Sequence, residues 1–453
     1  MRGWNVCALV LCAGLSLSAM AADTAVAKKP VASKPAAKVA ASGQRQKEII
    51  AYVFPQNRVL APDEVAATEL TRVNYAFTNL KDGVMVEGFT RDKENFEVLN
   101  ALKTKNPRLQ VVPSVGGWTW SGQFSDMSLT RASRTKFIDS VVLFIEKYKL
   151  DGLDIDWEYP AQRGFAGDPG HAGNVFRPED KHNYTLLLME LRQRLDVEGR
   201  KLHRHLVTSI ATGSGLRFLD NTEMDKVAKY VDSVNLMTYD MYGPGDKNTG
   251  HDSPLYNNPA DPKGDRADSV DWSVRLYEKA GVPASKIVVG VPFYSKRWSG
   301  VEATNNGLFQ AAPPAPRRAA PATPAAVGAA APAAPPRPAS TAEHGYGAMV
   351  GMLTQGYVRY WDPVAKAPYL YNPGTKVWIT YEDTESLLDK GDYVMDHKLG
   401  GIMFWEYTND PSGMLLKAVN VGLHPEVEAP SAKAKAPAVA KASVPAKAAP
   451  KGQ

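Results

Sequence analysis

Cysteine is nearly absent from this chain: two of its 453 residues are cysteines, Cys7 and Cys12, and both lie close to the N-terminus. They fall within a segment in which Arg2 precedes an apolar run that ends at Ala19-Met20-Ala21. A basic residue, a short apolar run and an A-x-A site are typical of a secretory signal peptide. We therefore predict a signal peptide over residues 1–21. The mature protein would then contain no disulfide, no catalytic thiol and no thiolate metal ligand.

Several other patterns are also missing from the sequence. Beyond the leader, no apolar run reaches the roughly 20 residues that a membrane-spanning helix needs. No group of His, Asp and Glu residues has metal-ligand spacing, and no Gly-rich loop follows a strand in a phosphate-binding pattern. We therefore expect no metal, no cofactor, and no membrane attachment once the signal peptide has been cleaved.

The net charge gives a misleading impression of a basic protein. The formal value is +5, but much of the positive excess lies in Ala/Pro-rich segments. Those segments contain Lys28, Lys29, Lys34, Lys38, Arg45, Lys47, Arg317, Arg318, Arg337, Lys433, Lys435, Lys441, Lys447 and Lys451. Without them the remaining chain is net negative. Basic tails of this kind are usually solvated linkers, so we expect no binding to nucleic acid.

Three segments have the composition of disordered chain. Residues 22–46 are rich in Ala, Lys and Pro, residues 311–342 consist almost wholly of Ala and Pro, and residues 426–453 form an Ala/Pro/Lys tail. Such segments cannot bury enough apolar surface to offset the entropy lost on folding. We expect the first and last to be linkers, and the middle one to be a surface loop that contributes nothing to the core.

Between these segments, short β-branched runs alternate with amphipathic helical stretches. The predicted strands are 49–54, 72–77, 109–115, 152–157, 206–211, 233–239, 287–292 and 401–406. The clearest helical patterns are 131–148, 181–195, 224–230 and 270–280. Eight strands separated by helices favour an α/β fold of the (β/α)₈ type, a TIM barrel. Periodicity alone also allows a doubly wound open sheet.

The fourth predicted strand carries an unusual set of acids. Residues 151–160 read DGLDIDWEYP. Side chains alternate faces along a strand, so Asp154, Asp156 and Glu158 point to one side and the apolar residues between them to the other. Like charges at this spacing raise the pKa of at least one group, which is how an enzyme keeps a carboxylic acid protonated for general-acid catalysis. The alternative is an amphipathic strand with a solvated acidic face, which fits poorly with the aromatic ending and the stop at Pro160.

Together with Asp151, these acids form D-x-x-D-x-D-x-E, which resembles the signature of glycoside hydrolase family 18, the chitinase family. Other predicted strand ends agree with the resemblance. Ser114-Val115-Gly116-Gly117 resembles the family's S-x-G-G, and Met237-Thr238-Tyr239-Asp240 resembles its M-x-Y-D. Trp405 matches the Trp that floors the central sugar subsite, and Tyr52 matches a Tyr that touches the middle acid. In a TIM barrel the C-terminal strand ends meet at one face, where the active site lies.

The resemblance implies retaining, substrate-assisted hydrolysis of β-1,4-linked N-acetylglucosamine polymers. Glu158 would be the general acid/base, and Asp156 would hold the 2-acetamido group of the substrate. Tyr239 would donate to the acetamide oxygen, and Asp154 would tune Asp156. The substrate-binding candidates are Trp405, Asp240, Met237, Tyr52, Ser114, Gly117, Trp118 and Phe77.

The resemblance also divides the chain. The barrel would comprise residues 47–297 and 380–425, and residues 298–379 would be a small α+β insertion between strands seven and eight, as in many bacterial members. No separate carbohydrate-binding domain is visible. Many relatives carry a Trp that stacks a sugar on the reducing side where this chain has Gly243-Pro244-Gly245. We expect a monomer, secreted or periplasmic, whose partner is chitin or chito-oligosaccharides.

Two other functions remain open. Family 18 also contains catalytically silent lectins, but these usually lose the terminal acid, and Glu158 is present. The substrate could instead be another 2-acetamido glycan, such as peptidoglycan or a protein N-glycan. The sequence does not distinguish endo from exo action.

Overall fold

The computed structural model describes residues 46–166, 172–264, 268–313 and 345–424. The predicted signal peptide, nearly all of the first linker, most of the Ala/Pro segment 311–342 and the C-terminal tail lie outside the described residues.

Strands and helices alternate along the described chain. The strands are β1 (Glu48–Val53), β2 (Arg72–Lys81), β3 (Val84–Val86), β4 (Gln110–Gly116), β5 (Gly152–Asp156), β6 (Val207–Gly213), β7 (Ser233–Met237), β8 (Ile287–Pro292), β9 (Lys296–Ser299), β10 (Val358–Asp362), β11 (Ala367–Asn372), β12 (Val377–Thr380) and β13 (Gly401–Trp405). The helices are α1 (Asp92–Ala101), α2 (Phe124–Ser128), α3 (Arg131–Tyr148), α4 (Asp180–Lys201), α5 (Leu216–Asp220), α6 (Met224–Val227), α7 (Val270–Lys279), α8 (Tyr346–Met352), α9 (Thr384–Asp396) and α10 (Met414–Leu423).

Eight of the described strands close into a barrel. Their order is β1-β13-β8-β7-β6-β5-β4-β2, and a further pairing between β1 and β2 completes the ring. Every pairing within the ring is parallel. The predicted (β/α)₈ TIM barrel is therefore confirmed, and the alternative of an open doubly wound sheet is wrong.

The helices cover the outside of the barrel with one apolar face each. In α3, Phe137, Val141 and Ile145 are buried, at the three-to-four-residue spacing of a helix face. Thr130 caps its N-terminus, because the hydroxyl accepts a hydrogen bond from the backbone N–H of Ser133. The helix patterns located the elements better than their ends: α4 is longer than the predicted 181–195, and α6 is shorter than the predicted 224–230.

A small antiparallel sheet is inserted between β8 and β13. The order of its strands is β10-β11-β12-β9. The strand that comes first along the chain, β9, begins four residues after the end of β8. Trp298, Tyr369, Tyr371 and Trp378 are buried together in its core. The described sheet spans Lys296–Thr380, slightly wider than the predicted insertion at 298–379. Both ends of the inserted sheet therefore lie near the C-terminal ends of barrel strands.

Among the helices of the described residues, we find none that is both long and apolar enough to traverse a lipid bilayer.

Candidate active site

Three carboxylates lie together at the C-terminal end of β5. Asp154 and Asp156 are on the strand, and Glu158 follows two residues after it. All three are buried, with relative exposures of 0%, 4% and 7%. The structure thus places the predicted acids on the inward side, where burial, rather than solvent, decides their protonation.

Asp154 is the most completely hydrogen-bonded of the three. Its Oδ2 accepts hydrogen bonds from Tyr52 Oη at 3.0 Å and Ser114 Oγ at 2.8 Å. Its Oδ1 accepts from Ser209 Oγ at 2.5 Å and Asn235 Nδ2 at 3.3 Å. Burial raises the pKa of Asp154, and the hydrogen bonds from Ser209, Ser114 and Tyr52 act in the opposite direction. Asp154 is therefore held in a fixed orientation by side chains from four other barrel strands, β1, β4, β6 and β7.

Sequence reasoning found two of those four partners and missed Ser209 and Asn235. In the parallel register Asp154 lies opposite Ser114 on β4 and opposite Ser209 on β6. The available signal was the presence of polar residues within the buried strands β6 and β7. It could not be assigned to Asp154 without knowing how the strands align.

Asp156 is buried but has an unused hydrogen-bonding atom. Its Oδ1 has no hydrogen-bond partner among the described residues. Burial raises the pKa of Asp156 well above its usual range, and the charges of Glu158 and Asp154 raise it further. A buried acceptor without a donor is costly, so this atom is a candidate for contact with a ligand N–H.

Glu158 has the properties of a general acid. Its pKa is raised to about 8, mainly by burial, with a further contribution from the charge of Asp240 and an opposing hydrogen bond with Tyr159. Burial, rather than the adjacent acids of the strand, is therefore the main cause. The backbone is fixed on both sides: the N–H of Glu158 donates to Ser121 Oγ at 2.9 Å, and its carbonyl accepts from Asn174 Nδ2 at 2.7 Å.

The Gly pair after β4 permits close approach of the backbone to β5. The N–H of Gly117 donates to the carbonyl of Asp156 at 2.7 Å. Gly116 and Gly117 have φ angles of +111° and +84°. A Cβ at Gly116 would lie 2.2 Å from the carbonyl oxygen of Asp156, and one at Gly117 would lie 2.8 Å from the Phe77 ring. The missing side chain at Gly116 therefore lets the Asp156 backbone come close, and the missing side chain at Gly117 leaves room for the Phe77 ring.

We expect Gly116→Ala to destabilise the protein strongly, because the methyl group would meet the Asp156 backbone and the residue would keep a positive φ. Strain of this kind costs roughly 1–3 kcal/mol or more. Gly122→Ala is the matched control, since a Cβ there has nothing within 4 Å. Thermal unfolding followed by circular dichroism compares the two variants. Equal melting temperatures would contradict this account of the Gly pair.

Aromatic rings line the barrel mouth beside the acids. Trp405, at the end of β13, stacks on Phe77 with 5.4 Å between ring centroids and an interplanar angle of 22°. Tyr52 and Phe54 lie 5.9 and 5.6 Å from the Trp405 ring. Trp405 and Phe77 are only partly buried. They form a fixed apolar surface with one part accessible from the mouth.

The loop after β7 adds a phenol and a further acid. Tyr239 is 9% exposed and packs in the same cluster as Tyr52, with Met237 beside it. Burial raises the pKa of the Tyr239 phenol, followed by the charges of Asp156, Asp240 and Glu158. The phenol therefore remains a hydrogen-bond donor. Asp240 is exposed and accepts a hydrogen bond from Tyr294 Oη at 2.7 Å.

Two residues of the site region lie apart from the central cluster. Trp118 is 43% exposed and contacts the rings of Phe165 and Tyr159, at 5.4 and 6.4 Å between centroids. Asp151, the first acid of the motif, accepts from the N–H of Val111 at 2.7 Å and pairs with Lys103. Asp151 precedes β5 and so lies toward the opposite end of the barrel, where it has a structural role.

Within the part of the chain that the structure describes, no group of three or more His, Cys, Asp and Glu side chains could hold a metal ion.

The fold and these side chains define a TIM-barrel glycoside hydrolase with carboxylates at the C-terminal face. The sequence profile of glycosyl hydrolases family 18 matches residues 41–410. The chain therefore belongs to glycoside hydrolase family 18, and the resemblance stated from the sequence is confirmed.

Curated and structural relatives agree with this membership. The chain is 38% identical to chitinase A1 of Niallia circulans over 354 residues, which cover 76% of this chain but only 47% of that protein. It is 31% identical to chitinase B of Serratia marcescens, over 78% of this chain and 76% of that one. Among solved structures, chitinase ChiA74 from Bacillus thuringiensis has a TM-score of 0.73 at 31% identity, covering 84% of this chain and 70% of that chain. An N-acetylglucosaminidase of family 18 from Paenibacillus barengoltzii has a TM-score of 0.68 at 36% identity, covering 83% and 100%.

Proposed function

We propose that this protein is a chitinase that hydrolyses β-1,4-linked N-acetylglucosamine polymers with retention of configuration. The observation that carries the proposal is the pairing of a buried Glu158, with a pKa of about 8, and a buried Asp156 oxygen that lacks a partner. The first supplies a proton near neutral pH, and the second accepts a hydrogen bond from the substrate. The names of the relatives support chitin as the polymer.

Glu158 acts first as the acid. The glycosidic C–O bond breaks while the Glu158 carboxyl transfers its proton to the leaving oxygen. In the second half of the reaction the Glu158 carboxylate accepts a proton from the attacking water. Its peptide backbone is fixed by Ser121 and Asn174, so the carboxyl group is held in place for both transfers.

The nucleophile is the acetamide oxygen of the substrate. Retaining glycosidases with a second protein carboxylate form a glycosyl-enzyme, whereas family 18 enzymes use substrate assistance. The acetamide oxygen attacks the anomeric carbon as the glycosidic bond breaks, and a positively charged oxazolinium ion forms. Asp156 accepts the acetamide N–H and offsets the positive charge, and the Tyr239 hydroxyl donates to the acetamide oxygen. Water then opens the ring on the same face that the leaving group occupied.

The remaining residues orient the sugar and the acids. Trp405, held by Phe77, offers an apolar face against which a pyranose ring stacks. Asp154, fixed by Tyr52, Ser114, Ser209 and Asn235, orients the strand beside Asp156. Met237, at the end of β7, and Asp240, in the loop that follows, contact the sugar.

The alkaline limb of the pH profile follows from Glu158. The acid must be protonated to act, so we expect kcat/KM to fall as pH rises through about 8, the pKa of this buried group. Initial rates on chitotetraose between pH 5 and 10 measure this limb. A profile that stays flat to pH 10 would contradict the assignment of Glu158 as the acid.

An N-acetylglucosaminidase that removes single sugars is a second candidate. The structural similarity to the Paenibacillus barengoltzii N-acetylglucosaminidase, which spans the whole of that chain, favours it. Chromatography of the products from chitohexaose separates the two: a chitinase releases dimers and longer products early, whereas the alternative releases the monosaccharide from the start. Peptidoglycan and protein N-glycans are tested as substrates by the same chromatography, in place of chitohexaose.

We further propose that the protein is exported and acts as a monomer. The signal-like N-terminal sequence supports export to the periplasm or the medium. Fractionation of producing cells and size-exclusion chromatography with light scattering test these two points.

A further inference from the structure

Asp252, a buried acid in the loop after β7, lies behind the sugar-binding edge of the site. It is 1% exposed. Its Oδ1 accepts a hydrogen bond from the backbone N–H of Asp240 at 2.9 Å and lies 2.6 Å from Lys296 Nζ. The backbone N–H of Asp252 donates to Thr380 Oγ1, at the end of β12, at 3.0 Å. Asp252 thus joins the β7 loop to two adjacent strands of the inserted sheet, to β9 through its carboxylate and to β12 through its backbone N–H.

Lys296 completes a bridge between two acids. Its Nζ lies 2.5 Å from Asp240 Oδ1 and 2.6 Å from Asp252 Oδ1, and it donates to the carbonyl of Tyr242 at 2.9 Å. The Asp240 carboxylate accepts a second hydrogen bond from Tyr294 Oη at 2.7 Å. Asp240 is therefore held by its side chain through Lys296 and by its backbone through Asp252.

The backbone of Asp240 needs such support. Its φ of +62° lies in the left-handed region, which residues other than Gly adopt at a cost. A conformation of this kind persists when the surrounding contacts determine it. Asp240 itself is exposed at the mouth, directly after Tyr239. Without the contacts behind it, the carboxylate and the Tyr239 backbone would have no fixed position.

We propose that Asp252 is a positioning residue, which fixes Asp240 at the sugar-binding edge through the Asp240 backbone and through Lys296. Asp252 does not touch the substrate. The proposal rests on the proposed function, because it takes Asp240 as a sugar contact. It also assigns the inserted sheet a part in sugar binding, since Lys296 on β9 and Thr380 on β12 hold the Asp252 side chain and backbone in place.

A double-mutant cycle on chitotetraose hydrolysis tests the proposal. We expect Asp252→Ala to reduce kcat/KM roughly ten-fold, the loss that corresponds to about 1.4 kcal/mol for a buried hydrogen-bond acceptor. The loss should lie mainly in KM, because a sugar contact at the rim is made both before and during the reaction. Once Asp240 is already alanine, adding Asp252→Ala should cause less than a two-fold further loss. Asp252→Asn keeps an acceptor oxygen and should recover most of the activity.

Asp362→Asn is the matched control. Asp362 is also buried and joins the same loop to the inserted sheet, through His251 Nε2 at 3.1 Å, but it has no hydrogen bond to Asp240. The fold-loss in kcat/KM caused by Asp362→Asn should multiply with the fold-loss caused by Asp240→Ala, because the two sites act independently. If the effects of Asp252→Ala and Asp240→Ala also multiply, or if Asp240→Ala alone changes nothing, the proposal is wrong. Should Asp252→Ala fail to fold by circular dichroism, the cycle is run with Asp252→Ser, which also removes the carboxylate but leaves a small polar group in the buried position; it should lose activity and couple to Asp240→Ala in the same way. The proposed function is tested separately: the wild type should hydrolyse chitotetraose, and Glu158→Gln should not.

Discussion

Glu158→Gln is expected to abolish turnover of chito-oligosaccharides while leaving their binding nearly unchanged. The amide has almost the same shape as the carboxyl group but has no acidic proton to give to the leaving oxygen. Loss of a general acid costs roughly 10²–10⁴-fold in rate. Because the proton transfer occurs only in the transition state, the loss should appear in kcat.

Two measurements on the same preparation check this expectation. Steady-state hydrolysis of chitotetraose gives kcat, and isothermal titration calorimetry with the same sugar gives the dissociation constant. Glu302→Gln is a suitable control, because that side chain lies in the loop after β9, is 69% exposed and pairs with Lys376. A Glu158→Gln variant that retained near-full activity would remove the central assignment.

Asp156→Asn should lower kcat by roughly 10²–10³-fold, the range found when one group that stabilises transition-state charge is removed. An amide cannot offset the charge of the oxazolinium ion. The Asn side chain also has only one acceptor oxygen, so it can accept the acetamide N–H in only one of its two amide orientations. A substrate with a free amine in place of the acetamide at the cleaved sugar should resist hydrolysis by the wild-type enzyme as well, because it lacks the nucleophile.

The stereochemistry of the wild-type reaction is the decisive companion measurement. Substrate assistance predicts that the first-formed product is the β-anomer, since two displacements occur at the same carbon. Proton NMR within the first minutes of hydrolysis identifies the anomer before it equilibrates. An α-product would show inversion. A thiazoline analogue of the cyclised sugar should inhibit strongly, because it resembles the intermediate and the transition states beside it.

Local patterns in the sequence accounted for much of the fold. The barrel strands are short segments rich in β-branched and other apolar residues, and a buried parallel strand needs little more than that to be recognised. The regular succession of strands and helices then leads to the barrel, because parallel strands joined by helices favour this fold. The ends of elements were less predictable, as α4 and α6 show, because helix ends depend on the tertiary contacts that cap or bury them.

The acids of β5 could be predicted for a similar reason. Side chains on a strand alternate, so the placement of Asp154, Asp156 and Glu158 on one side is a property of five consecutive residues. The Gly pair at 116–117 was likewise visible in the sequence, but the reason that these positions require glycine was not. The clash that a Cβ at Gly116 would cause involves Asp156, forty residues away.

The sequence by itself thus determined that Asp154, Asp156 and Glu158 lie together at the end of one strand, because that placement depends on neighbouring residues. Only the tertiary structure decided what holds those acids. Ser209 and Asn235 reach Asp154 from β6 and β7 of the barrel, Lys296 reaches Asp240 from the inserted sheet, and Asp252 reaches it from further along the same loop. Their partners lie far apart in sequence or in loops without periodicity, so no local pattern records them. The degree of burial, which sets the pKa of Glu158, likewise exists only once the strands and loops have packed together.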